Sequence, residues 1–220
     1  KEGYQEITLI GQNVNSWGLE KLGVANRKMQ LRSAIKREQL PSNQSQYLTP
    51  TGIPPFVKLI RTISQLKEIK ILRFMSSNPW DFYDQLIEEI ANNPKLDRFI
   101  HLPVQSGSNS VLNRMNRGYS REDYLNLVKK LRQAVPDVVL GTDIIVGFPG
   151  GTEEEFADTL DLAKKANWHL AFVNIYSPRP GTAANQFYPD DIPYAIKKRR
   201  WQILDQLINK NNLKKRPKVV

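Results

Sequence analysis

The sequence predicts an α/β fold around a parallel sheet that is curled or closed, and three observations carry that expectation. Strand-like and helix-like segments alternate about five times, with connections long enough for right-handed crossovers. Residues 138–148 form a near-continuous apolar run, the mark of a parallel strand buried on both faces. The runs 98–104 and 138–148 each end in a glycine-bearing turn that opens a helix. That is how β/α-barrels present backbone N–H groups at the carboxyl ends of their strands, where barrel enzymes keep their chemistry.

The elements follow in order. Residues 6–10 (EITLI) alternate and are β-rich, and Gly11-Gln12-Asn13 ends them as a loop. A segment at about 19–52 is rich in Lys, Arg, Gln, Ser and Asn, and such a long loop is usually functional or mobile. Its Lys21, Arg27, Lys28, Arg32, Lys36 and Arg37 outweigh Glu20 and Glu38, which suits a solvated insertion or an RNA-facing arm. After Pro54-Pro55 a helix carries Phe56, Leu59, Ile60 and Ile63 at helical spacing. Residues 70–75 (KILRFM) read as a strand, and 81–92 as a helix burying Phe82, Leu86, Ile87 and Ile90.

A strand at 98–104 leads to a short helix at 108–116, which Gly118 ends. Ser120 and Asp123 then make a capping box with Asp in place of Glu, before an apolar face of Tyr124, Leu127, Val128, Leu131 and Val135. Thr152 and Glu155 cap the helix after the 138–148 strand, with Phe156, Leu160 and Ala163 inward. Residues 170–176 are a further strand, 177–182 a turn-rich loop, 192–211 a long amphipathic helix and 213–220 a basic tail.

At 220 residues, one α/β domain is the default. A hydrophobic share of 40% and a charged share of 25% suit a soluble globular protein. No apolar run approaches the roughly 18–20 residues that a membrane helix needs. With no cysteine, these residues hold neither a disulfide nor a thiolate metal site, and two histidines make an internal zinc site a poor fit. Lys1-Glu2-Gly3-Tyr4 lacks a methionine and a signal-peptide core, so the chain is expected to start inside a domain. The net charge of +10 leans toward polyanions, nucleic acid first.

Several strand ends carry candidate chemistry. In Pro103-Val104-Gln105-Ser106-Gly107-Ser108, Gln105 stands at a strand tip before a small-residue turn whose amides suit a carboxylate, a phosphate or a ribose hydroxyl. The plain alternative is a βα turn with a Ser N-cap. Asp143 is a carboxylate in an apolar strand, so it needs a partner or a ligand; a ribose diol and a neighbouring arginine both qualify. Gly147, Gly150 and Gly151 let the backbone approach a flat ring.

Arg117 can pair with a carboxylate. Gln12 and Asn13 donate and accept at once, as an amino-acid head group requires. Arg179, stiffened between prolines, can anchor a nucleotide phosphate of the substrate. His101 reads as a packed strand residue rather than a base. Lys197-Lys198-Arg199-Arg200 reads as the solvated side of an amphipathic helix, with RNA contact as the second reading.

Four segments together resemble the radical S-adenosylmethionine methylthiotransferases: LIGQNVNSWG (9–18), HLPVQSGSNSVLNRMNRGYSREDYL (101–125), TDIIVGFPGGTEEEF (142–156) and YSPRPGT (176–182). GQNVNS is most similar to the MiaB-type branch that acts on tRNA. The resemblance implies a partial, TIM-like (β/α)6 barrel, here lacking the first strand and its cysteine loop. That barrel would span 1–212, with 213–220 leading to an RNA-binding domain.

It also implies an enzyme that adds a methylthio group to an isopentenylated adenosine beside the anticodon. The cofactors would be S-adenosylmethionine and 4Fe-4S clusters whose cysteines lie outside this chain, so the chain alone is expected to be inert. A cluster electron would generate a 5′-deoxyadenosyl radical that abstracts hydrogen. Gln105 and Arg117 would hold the methionine portion and Asp143 the ribose. Gly147 and Phe148 would line the adenine, and the amides of Gln12 and Asn13 would approach the amino group.

The implied partners are tRNA and an electron donor such as flavodoxin or ferredoxin, with a monomeric state and a cytoplasmic location. The sequence departs from the family where the usual Glu after GFPG is Gly151. A methylthiotransferase acting on a ribosomal protein, another radical enzyme, and a cysteine-less barrel that only binds tRNA or a nucleotide remain open alternatives.

Overall fold

The computed structural model describes residues 3–19 and 52–210. The basic insertion, apart from Leu19 and Gly52, and the 213–220 tail lie outside the described residues. The chain forms two compact units, one from Lys1–His101 with Lys129–Val138 and the other from Leu102–Val128 with Val139–Val220. Among the described residues, no helix is long and apolar enough to cross a membrane.

In the first unit, β1 (Glu6–Leu9) pairs in parallel with β2 (Ile71–Phe74), Glu6 opposite Ile71 and Leu9 opposite Phe74. Leu72 and Phe74 are buried while Ile71 and Arg73 are half-buried, as a period of two demands. Arg73 secures the pair from the edge, reaching Glu6 and Asp97 at 2.6 Å each. α1 (Pro55–Ser64) opens on a proline that fits the first helical position and buries Phe56, Val57 and Ile60. The Phe56 ring meets Phe74 edge-on, with centroids 5.5 Å apart.

α2 (Asp84–Asn92) starts later than predicted, because a 3-10 turn at Pro79–Asp81 precedes it. Asn78 caps that turn through its side-chain oxygen, which accepts from Trp80 N at 3.2 Å. Phe82 lies outside the helix, yet it is buried as expected. β3 (Phe99–His101) is shorter than the predicted 98–104, since Pro103 has no N–H to give a ladder. His101 is buried.

The remaining elements are α3 (Asn109–Arg114), α4 (Arg121–Ala134), β4 (Val139–Val146), α5 (Glu153–Ala166), β5 (Leu170–Ile175), α6 (Ala183–Phe187) and α7 (Tyr194–Asp205). A wider π-helical turn, Gln206–Lys210, continues α7. Both capping boxes form. Asp123 accepts from Ser120 N at 2.9 Å while Ser120 Oγ accepts from Asp123 N at 3.1 Å. Thr152 and Glu155 do the same for α5. All five apolar residues predicted for the α4 face are buried.

Three local expectations are corrected. Asn116, at φ 55°, rather than Gly118 supplies the left-handed residue after α3. α5 buries Thr159 and Leu162 alongside Phe156 and Ala163, whereas Leu160 is only half-buried. α6 lies just past the 177–182 loop in residues to which no element had been assigned.

β4 pairs in parallel with β5, Asp143 opposite Phe172 and Val146 opposite Ile175. It is not buried evenly on both faces. Leu140, Thr142, Ile144 and Val146 are buried, whereas Asp143 and Ile145 on the alternate face are half-buried. On that same face Phe172 is 49% exposed, and Asn174 is exposed as well. The second unit is centred on Trp168, which is 1% exposed. Its Nε1 donates to Tyr124 Oη at 2.8 Å, and Tyr124 Oη donates to the Leu102 carbonyl at 2.8 Å.

Candidate functional site

Most of the candidate residues lie in the second unit, on or just after its strands and, for Arg117, after α3. Gln105 makes an isolated parallel bridge with Ile144. Its N–H donates to Asp143 O at 2.8 Å, and its carbonyl accepts from Ile145 N at 2.9 Å. The backbones of Gln105 and Asp143 are therefore immediate neighbours. Gln105 has φ 72°, a left-handed conformation that side chains rarely adopt. Asp143 is half-buried on the less covered face of β4.

Arg117 follows the left-handed Asn116 and is half-buried. Its Nε is buried and makes no hydrogen bond among the described residues. Two residues on, Tyr119 Oη donates to Val104 O at 3.1 Å and Pro103 O at 3.3 Å. The Arg117 loop is thus tied to the strand end that bears Gln105. Burial pushes the Tyr119 phenol up to about 12, and the nearby Arg117 charge offsets only part of that.

Gly147 and Phe148 continue directly from β4. Gly147 has φ 72° and Gly150 φ 69°, so this turn uses two left-handed glycines. Phe148 is buried, with its ring 5.1 Å from Tyr176 and 6.0 Å from Tyr188. Gly147 and Phe148 border a shallow, open depression with Ser106, Ile145, Thr152 and Glu155, whereas Gln105, Arg117 and Asp143 do not line it. Arg179 is exposed in the loop after β5, and its carbonyl accepts from Thr182 Oγ1 at 2.8 Å. Gln12 and Asn13 belong to the first unit and are exposed.

The donors expected at residues 106–108 are largely spent on the protein itself. Gly107 N donates to Thr159 Oγ1 at 3.0 Å, and Ser108 N to Ser106 Oγ at 3.3 Å. Residues 106–108 are buried, so their amides do not open toward a ligand as the sequence suggested. In GQNVNS, Asn15 is fully buried and exchanges two bonds with Asn78. Its Nδ2 donates to Asn78 O at 2.9 Å, and Asn78 N donates to its Oδ1 at 2.7 Å. Ser16 Oγ donates to Asp81 at 2.6 Å. The second half of that motif therefore ties loops together, leaving Gln12 and Asn13 outward.

The basic run on α7 is also corrected. Lys197 and Arg200 are buried rather than solvated. Lys197 pairs with Asp190, while Arg200 binds Glu153 at 2.8 Å and the Gly151 carbonyl at 3.0 Å. Acidic partners outside the run, seven positions away for Lys197 and 47 for Arg200, draw these cations inward. The Arg200 guanidinium also sits 5.5 Å from the Phe156 ring centroid.

Glu155 joins the α5 cap to α3 through Arg114, with paired contacts of 3.0 and 2.7 Å. Burial pushes the Glu155 carboxyl up, but hydrogen bonds from Arg114, Ser110 and the Thr152 amide outweigh it and hold the group below its usual range. It therefore contributes stability above its ordinary value of 4.5, and that contribution fades as pH falls through the depressed folded value. Glu155→Gln is expected to flatten a urea-midpoint-against-pH curve between 4.5 and that depressed value. Equal slopes for the two proteins would remove the Arg114 pair from the account of acid stability.

Comparison with known proteins follows the same lines. The family described as the Radical SAM superfamily matches residues 19–163. The chain is 42% identical over 214 residues to the tRNA-2-methylthio-N(6)-dimethylallyladenosine synthase of Thermotoga petrophila, covering 97% of this chain and 42% of that protein. The synthase of the same name from Caldicellulosiruptor saccharolyticus is 42% identical, with 97% and 39% covered. That from Clostridium tetani is 40% identical, with 100% and 43% covered.

The chain thus spans less than half the length of these curated relatives. Among solved structures, coproporphyrinogen III oxidase from Escherichia coli, described as a radical SAM enzyme, superposes with a TM-score of 0.57 at 16% identity. That match covers 94% of this chain and 54% of the oxidase, and it shows a shared α/β fold with parallel strands. By the match of residues 19–163, well over half of its length, the chain belongs to the radical SAM superfamily.

Proposed function

We propose that this chain is the core of a tRNA methylthiotransferase that modifies an isopentenylated adenosine next to the anticodon. The observation that carries the reading is the Gln105–Ile144 bridge. It sets Gln105 beside Asp143, in a chain 42% identical along 97% of its length to a synthase of that modification. Residues 1–212 would form a partial (β/α)6 barrel with a basic insertion at about 19–52, and 213–220 a basic tail leading to an RNA-binding domain. The two parallel strand pairs and the likeness to the oxidase support that architecture.

S-adenosylmethionine fits the residues present. Arg117 offers a buried donor with no hydrogen bond among the described residues, the match for a methionine carboxylate. Gln105 would hold the same portion through its amide. Asp143 would accept from the ribose hydroxyls, while Gly147 and Phe148 would border the adenine. Arg179 would meet a phosphate of the substrate. When bound, the cofactor supplies one-electron hydrogen abstraction.

A 4Fe-4S cluster does not fit on these 220 residues, which contain no cysteine to give iron a thiolate. Its ligands would come from outside this chain. An electron donor such as flavodoxin or ferredoxin, a monomeric state and a cytoplasmic location complete the reading.

The test uses the protein encoded by the whole reading frame. Asp143→Ala and Arg117→Ala should each weaken S-adenosylmethionine binding by about 10- to 100-fold in calorimetry, the scale of one charge-assisted hydrogen bond. Wild-type affinity in both would overturn the site. Deleting the gene should remove the methylthio group from tRNA nucleosides. If tRNA stays unaltered while a ribosomal protein loses its modification, the substrate assignment falls.

A further inference from the structure

The turn after β4 is gripped from the side of α7. The Lys197 side chain runs directly against Gly147, where a Cβ would stand 2.8 Å from Lys197 Cδ and closer still to Cγ. The lysine stem is thus the wall of the turn. Lys197 is 3% exposed, and its ammonium pairs with Asp190, donates to Tyr176 O at 3.4 Å and lies 5.2 Å from the Tyr176 ring centroid. That same ring meets Phe148 edge-on.

Residues 188–191 complete the grip. The Tyr188 ring packs near Phe148, Asp190 holds Lys197, and Asp191 accepts from Gly150 N at 2.8 Å. One short strap therefore touches the turn at Phe148 and at Gly150, with Lys197 as the pin between strap and turn.

Lys197 is buried but Asp190 is exposed, and an ion pair with one partner in water adds little stability, so an apolar side chain of similar volume does as well. What the ammonium adds is position, since it fixes Asp190 and the Tyr176 carbonyl to one point. We infer that Lys197 and Asp190 are a positioning pair that sets the Gly147–Phe148 turn for the ligand. The inference rests on the reading of that turn as the adenine border; neither residue touches the ligand in it.

The experiment uses Lys197→Met, the double variant Lys197→Met/Asp190→Asn, and Asp191→Ala in the whole protein. S-adenosylmethionine affinity, melting temperature and amide hydrogen exchange over residues 147–151 are read for each. Lys197→Met keeps the stem but takes the cation from Asp190, which is exposed, so melting temperature should fall only slightly. The double variant should recover most of that loss yet still bind about tenfold or more weakly, the scale on which supporting residues act. Asp191 is exposed, so its alanine variant should melt like wild type, exchange faster at 147–151 and bind more weakly.

Recovery of both affinity and melting temperature in the double variant would overturn the inference, leaving a purely structural pair. So would unchanged exchange at 147–151 in all variants, whether or not the ligand binds. If Asp143→Ala loses binding and these variants keep it, positioning fails while the site reading stands. If Asp143→Ala keeps it while exchange rises here, the pair still sets the turn and only the site reading fails.

Discussion

Trp168→Ala is expected to lower the free energy of unfolding by about 3–5 kcal/mol, the range for emptying a large buried aromatic site. Trp168 is 1% exposed and sits edge-on to Tyr124 with centroids 6.0 Å apart. Its removal deletes the hydrogen bond that Tyr124 Oη accepts from the indole, while the bond from that hydroxyl to the Leu102 carbonyl remains. Against a typical total of about 5–15 kcal/mol, such a loss leaves little margin. Urea denaturation of Trp168→Ala beside Trp168→Phe measures it. A shift below about 1 kcal/mol for the alanine variant would show that this centre collapses without penalty.

Gly147→Ala should act on folding and on the ligand together. A residue with a Cβ at φ 72° costs about 1–2 kcal/mol. The new methyl group also meets the Lys197 stem, whose far end is held by Asp190, so overpacking adds about 1–3 kcal/mol. Gly181→Ala is the control, because Gly181 has φ 80° with nothing within 4 Å of a Cβ. It should show the conformational part alone. The difference between the two variants isolates the steric part. Gly147→Ala should also weaken S-adenosylmethionine binding, and a Gly147→Ala protein as stable as Gly181→Ala would remove the lysine wall from the account.

Local chemistry was readable from the residues themselves. Ser120 with Asp123 and Thr152 with Glu155 form their caps because each pair lies within one helical turn. The α4 face followed from spacing alone. Long-range pairing was not readable. Lys197 and Arg200 sit in a run of four cations that reads as solvent-facing, yet Glu153 lies 47 positions from Arg200 and no periodicity links them.

The same limit applies at the strand tips. Ser106-Gly107-Ser108 has the composition of an anion-binding turn, but Thr159, contributed by α5, takes its Gly107 amide. A Cβ on Gly107 would stand 2.5 Å from Thr159 Cα, so that glycine serves close helix packing rather than a ligand. Gln105 and Asp143 were legible as candidates because polar residues interrupt apolar strand segments, and Arg117 chiefly through the family resemblance. That Gln105 adopts a left-handed backbone was not legible, since a bare sequence carries no torsion angle.

That torsion has a practical outcome for anyone hardening this protein against heat. Glycine would rest at position 105 without strain, so a screen scored only on thermal tolerance would tend to accept it. Variants gathered that way would gain lifetime by discarding an amide at the strand tip, and a library meant to preserve the proposed ligand site should hold this codon constant.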